Sequence, residues 1–344
     1  MSNHSQRPLD DTSVPNELGS KLQPPKPSRR WVTLALQMGV TLAVIGGVGR
    51  RVWMEKEALK AYDLRLRPSW LLVSGVCYLT GLWTAAVFWR LAMRDRGEQP
   101  SWTRTFFAYY AGHLGKYVPG KGLVVVIRAR MIRGPHVTAA GAAMACVHET
   151  VLTMATGAFV SLIVLLAIPI PRRDFWLAVS GVLTAGLAVL ACPPVVSRLG
   201  RVALRPFSSA SIGEGHASRW ESVGCGSALI IIGWFMLGLS LLAVLAAMQQ
   251  LNGVLANLGF LRIFALSTAL VALAFVGGFV TLTPAGLGTR EWILVSTLGP
   301  LIGTTHSMIA AVLLRIVWIV SEVVATGIFW MVDKVSTSKR TRAR

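Results

Sequence analysis

TLTPAGLGTRE, residues 281–291, is the stretch that decides how this chain reads. Pro284, Gly286 and Gly288 interrupt an otherwise apolar run there, and Arg290 and Glu291 follow side by side. Backbone broken at membrane depth is tolerated only where protein buries it or a polar cavity solvates it. Ionisable side chains at that depth are costly, so Arg290 and Glu291 point to a functional site. The competing reading, a cytoplasmic turn between two helices, has to contend with apolar runs that flank the pair closely on both sides.

The composition sets the same frame. Of 344 residues 53% are hydrophobic and 14% charged, whereas roughly a quarter of a soluble domain is charged. The expected fold is an all-α polytopic membrane protein. The net charge of +19 does not indicate nucleic acid, because the basic residues fall in short clusters between apolar spans. They read as orientation signals and lipid-headgroup contacts. Cys77, Cys146, Cys192 and Cys225 stand singly, without the spacing of a metal site or a disulfide framework.

Taken in order, residues 1–30 are polar, proline-bearing and end in Arg29 and Arg30, which predicts a disordered cytoplasmic tail. The SRRW entry resembles an export signal, but no cleavage site follows, so residues 31–48 read as an uncleaved first span. Residues 50–68 read as an interfacial segment, and 70–89 as the second span, ending in the basic cluster Arg90, Arg94 and Arg96. Residues 106–114 are too short to cross before GKYVPGKG, residues 115–122, and the basic run Arg128, Arg130, Arg133. That pattern predicts a re-entrant hairpin entering from the cytoplasm. Further spans are expected at 137–168, 175–196, 223–248, 263–282 and 306–332, with a half-length apolar piece at 292–302. One transmembrane domain, 31–333, and a basic cytoplasmic tail, 334–344, complete the organisation. Counting the half-length piece gives about eight crossings, which keeps both termini on the positive side.

Two proline/glycine-broken segments, one in each half of the chain, are the pointer to a binding site in a transporter-like fold with an inverted repeat. A broken helix leaves unpaired N–H groups at the start of the next half-helix, and that positive end attracts anions. The candidate lipid-headgroup residues are Lys116, Tyr117, Pro119, Gly120 and Lys121 in the first break. In the second they are Pro284, Gly286, Gly288, Arg290 and Glu291. Residues 115–121 also fit a P-loop core, but Gly122 replaces the magnesium-binding hydroxyl and no strand precedes it. No nucleophile elbow, zinc motif or other catalytic pattern is present in the sequence, so neither an enzyme nor a cofactor is expected.

His148, Glu149, Arg315 and Glu322 are further ionisable residues at membrane depth. Arg315 and Glu322 are seven residues apart on one helix face, too far for an ion pair, so each is expected to pair across the bundle. Glu149 is expected to meet Arg290 or Arg315. Such pairs serve either a lipid path or the locking of helices alone. His148 reads as a packing residue, and Trp31, Trp53, Trp70, Trp83, Trp89, Trp176, Trp292 and Trp330 as interfacial anchors.

GKYVPGKG, the glutamate of HET (148–150), PAGLGTRE (284–291) and the arginine of LLRIVW (313–318) together resemble the membrane domain of lysylphosphatidylglycerol synthases. The resemblance runs from the first span onward. The family pattern has Val-Trp where this chain has Gly122 and Leu123, Glu-Arg at Glu149 and Thr150, and Gly-Gly at Ala285 and Gly286. It implies a flippase-like protein of the bacterial inner membrane that moves an anionic phospholipid or polyprenyl-phosphate lipid between leaflets, with Glu149 and Arg315 added to the path. Aminoacyl transfer belongs to a separate soluble domain in the synthases, so none is expected of this chain. Two rivals remain at this stage. A glycosyltransferase using polyprenyl-linked sugars needs an external acidic pair, for which Glu55, Glu57 and Asp63 are the candidates. A non-transporting partner of an envelope-synthesis enzyme needs no polar path.

Overall fold

The computed structural model describes residues 65–117, 122–204, 220–281 and 284–342. The expected tail 1–30, the span 31–48, Trp31, Trp53, Glu55, Glu57, Asp63, Pro119, Gly120 and Lys121 lie outside the described residues. Regular structure among the described residues is helical, with two isolated β-bridges. Eleven α-helices follow in order: α1 Pro68–Arg94, α2 Trp102–Leu114, α3 Leu123–Ile132, α4 Ala139–Ala167, α5 Arg173–Ala191, α6 Pro193–Leu204, α7 Trp220–Ala247, α8 Asn252–Leu258, α9 Phe260–Val280, α10 Thr289–Ile302 and α11 Thr304–Arg342. Six of them, α1, α4, α5, α7, α9 and the Thr304–Asp333 part of α11, are long and apolar enough to cross a bilayer. The chain is therefore an all-α polytopic membrane protein.

Apolar lipid offers no hydrophobic drive for one apolar helix to meet another, so close fit and interhelical hydrogen bonds hold the bundle. Small residues supply the fit. α1 packs most extensively on α7, where a side chain at Gly81 would meet the Gly233 carbonyl at 3.0 Å. Hydroxyls supply the bonds: Ser74 Oγ donates to the Ser240 carbonyl at 2.8 Å, Ser161 Oγ to the Ala269 carbonyl at 2.9 Å, and Trp234 Nε1 to Thr156 Oγ1 at 3.2 Å. At one end of this pair Leu66 bridges Met248, and the Arg67 N–H donates to the Ala247 carbonyl at 2.9 Å.

α2 and α3, joined by a 3-10 turn at Gly115–Tyr117 and by residues 118–122, pack on each other as a hairpin of half-length helices. They are about 20 and 15 Å long at 1.5 Å per residue, each short of a bilayer core of roughly 30 Å. α10, at 14 residues, is likewise about 21 Å long and packs between α9 and α11. The two broken segments of the sequence meet: the Gly115–Tyr117 turn touches the Pro284–Gly286 turn.

The tryptophans divide. Trp70, Trp83, Trp292 and Trp330 are exposed, as anchors should be, but Trp89 and Trp176 are buried in the core. Trp89 reaches inward because its Nε1 donates to the Ala142 carbonyl of α4 at 3.2 Å. All four cysteines are free thiols.

Candidate functional site

The second break forms where three of four successive residues take a reversed backbone. Ala285, Gly286 and Gly288 have φ of 50°, 69° and 81°. Glycine holds that region without steric cost; Ala285 holds it at about 1–2 kcal/mol. Gly286 is needed twice, since a side chain there would also stand 2.5 Å from Arg290 Nε. Gly278 of α9 faces the same stem, with Arg290 Cγ 2.9 Å from where a Cβ would lie. Arg290 thus lies in a glycine-walled slot, its guanidinium 3.6 Å from the centroid of the Phe275 ring.

Glu291 is held at both oxygens. Oε2 accepts the Gly288 N–H at 2.8 Å, capping the start of α10, and Oε1 is paired with Arg315 of α11. The first break supplies the other half of the site. Gly115 lacks the side chain that would strike Ile127 Cδ1 at 2.9 Å, so α3 folds back closely on α2. Lys116 at the turn pairs with Glu322 of α11, lies 3.3 Å from the Tyr78 hydroxyl of α1, and sits 5.0 Å above the Tyr117 ring. Tyr78 also donates to Glu322 and stacks on Trp318 at 4.6 Å, and Trp318 Nε1 donates to Ser240 Oγ at 2.9 Å. Tyr78 is the eleventh residue of α1, about 15 Å from its start. The site is therefore deep in the bundle.

Between the two breaks lies a cavity lined by Lys116, Tyr117, Phe275, Arg290, Glu291, Arg315 and Trp318, with apolar residues of α9, α10 and α11. Its free volume is about 30 Å³ for the centres of water molecules, room for about two waters. Three cations, Lys116, Arg290 and Arg315, face two carboxylates, Glu291 and Glu322. Two pairs form, and Arg290 is left over. Among the described residues it makes no ion pair, and its Nε is buried without a hydrogen-bond partner.

Glu149 stands apart from this site and corrects the expected pairing. Its partner is Arg128 of α3, at 2.9 Å, rather than Arg290 or Arg315. Arg128 is 2% exposed and also meets His113 Nδ1 at 2.9 Å, with Tyr109 3.7 Å beneath its guanidinium. Tyr109 in turn donates to Glu149 Oε1 at 2.9 Å. Gly112 of α2 leaves room for the Arg128 stem. This network ties the hairpin to α4, so Glu149 positions the first break from behind. Arg128, read from sequence as part of a cytoplasmic basic run, is instead a core residue. His148 is fully buried and packs edge-on to Phe88, with ring centroids 5.6 Å apart.

Of the sequence candidates, the structure therefore gathers Lys116, Tyr117, Arg290, Glu291 and Arg315 around one cavity, with Pro284, Gly286 and Gly288 in the turn that leads into α10. Phe275 and Trp318 complete the lining, and Tyr78 and Glu322 stand behind Lys116. Glu322 carried a signal, an acid at membrane depth; Tyr78, Phe275 and Trp318 carried none, being ordinary apolar-helix residues until the helices cross.

No curated protein matches the chain in a sequence comparison. A family model does: that of the lysylphosphatidylglycerol synthase TM region matches residues 30–324. Over nearly all its membrane-embedded length, then, the chain belongs to the lysylphosphatidylglycerol synthase TM region family.

Proposed function

We propose that this protein moves an anionic lipid between the leaflets of the bacterial inner membrane, with the headgroup passing through the cavity between the two breaks and the acyl chains remaining in the bilayer. The observation that carries the reading is Arg290. A half-buried guanidinium whose Nε is buried without a partner, and which makes no ion pair among the described residues, is a costly arrangement, and its planar fork suits a phosphate oxygen pair. Lys116 lines the same cavity. A phospholipid or polyprenyl-phosphate headgroup has the charge the site lacks. The chain acts here as a translocator and not as an enzyme. Both termini lie in the cytoplasm, as the basic residues near each end favour.

The present cavity is too small for a headgroup, so the two breaks part during transport. The test is binding of phosphatidylglycerol to delipidated protein in detergent, with phosphatidylcholine as the neutral comparison. A hydrogen bond to a charged group contributes about 1.5–3 kcal/mol. Arg290→Ala is expected to weaken phosphatidylglycerol binding by roughly tenfold to a hundredfold and to leave the phosphatidylcholine background alone. Equal binding of both lipids by the unaltered protein removes the reading.

A further inference from the structure

Resting on that translocation reading, the charge arrangement around Glu322 says what drives the lipid. Glu149, Glu291 and Glu322 each pair with a cation inside the bundle, and they differ in how well they are held. Glu149 has both oxygens engaged, by Tyr109 and Arg128. Glu291 has both engaged, by Arg315 and its own helix cap. Glu322, 0% exposed, has Tyr78 and Lys116 on the same oxygen, Oε1, while Oε2 is buried without a hydrogen-bond partner among the described residues.

The groups that act on Glu322 come from every side. They are Lys116 and Tyr117 from the hairpin turn and Tyr78 from α1, while Arg315 of its own helix pairs with Glu291 and acts on Lys116 and Tyr117. Arg290 and Glu291 lie across the cavity on α10, and His113 of α2 is within electrostatic reach of Lys116 and Arg290. α7, also packed on α11, carries Glu221 and Cys225 in its first two turns, away from the site. Lys116 is thus the one cation paired directly with Glu322 among the described residues.

A phosphate docked on Arg290 competes for that lysine, because Lys116 lines the same cavity. When Lys116 turns to the phosphate, its N–H bond to Glu322 Oε1 breaks and an N–H bond to a phosphate oxygen replaces it. Glu322 is then a dry carboxylate with no cation, which a protein interior avoids by protonation. We propose that each anionic headgroup crosses together with one proton taken up by Glu322. The carboxylate and a proton become the carboxylic acid, which keeps its hydrogen bond with Tyr78. On the far side the phosphate leaves, Lys116 returns and the proton is released. One negative headgroup and one proton make a neutral step, so transport follows a pH difference and ignores membrane potential.

The test uses full-length protein in phosphatidylcholine vesicles with a trace of phosphatidylglycerol labelled on its acyl chain, the potential clamped at zero. For one proton per lipid, a pH difference of one unit concentrates the probe tenfold in the leaflet facing the alkaline side, beyond that of empty vesicles. Glu322→Gln, neutral like the protonated acid, brings that ratio to one. Exchange by the unaltered protein that settles at an even ratio under the gradient overturns the coupling and leaves translocation standing. A Glu322→Gln protein that still concentrates the probe tenfold overturns the assignment to Glu322. Absence of exchange with and without the gradient overturns translocation itself, and the coupling with it.

Discussion

Arg128 and Arg290 are both guanidiniums inside a membrane bundle, and their partners separate their roles. Arg128 has a carboxylate, an imidazole and an aromatic face, so it is a lock. Arg290 has an aromatic face and no ion pair among the described residues, which is why the proposed function makes it the receptor. Removing one partner of a buried pair strands the other, at about 3–5 kcal/mol. Arg128→Ala is accordingly expected to lower the thermal stability of the detergent-solubilised protein by that amount, whereas Arg128→Met combined with Glu149→Leu recovers most of it. An Arg128→Ala protein as stable as the unaltered chain contradicts the locking role. The sequence marked Glu149 as needing a cation but could not say which. Arg128 stands 21 residues before it in a basic run that reads as an orientation signal, and only the apolar Val124, Val125, Val126 and Ile127 ahead of it hint at burial. Ala285 is a milder case: the family pattern has glycine there, and φ of 50° shows why.

At the scale of elements, the hairpin of α2 and α3 and the break between α9 and α10 are the parts that the proposed transport requires to move. Both were legible, because proline and glycine act locally and because 10 to 14 residues of helix are too short to cross. That the two breaks face each other was not legible, since no local rule pairs residue 116 with residue 322. Tyr117 and Ala285 line the same cavity from opposite breaks, which makes them the positions at which to hold it shut. In a chain with its four native cysteines replaced, Tyr117→Cys with Ala285→Cys is expected to lose lipid exchange when oxidised and regain it on reduction. Undiminished exchange with the bond formed, checked by mass, shows that the lipid takes another route.

Across the whole molecule, the spans themselves were the easiest reading, because apolar length alone marks them; the described residues hold six, placed within a few residues of expectation. What length cannot supply is the shared centre. Lys116, Tyr78, Arg290, Arg315 and Glu322 come from four separate segments, and their convergence turns a set of costly membrane charges into one site with a single cation to spare. The central claim is that this spare charge serves an anionic lipid in transit. The direct measurement is leaflet exchange of tail-labelled phosphatidylglycerol in proteoliposomes without a gradient, for the unaltered protein and Arg290→Ala at equal insertion. The account predicts exchange well above empty vesicles for the first and a loss of at least tenfold for the second. Equal exchange by the two proteins, or none by either, contradicts it.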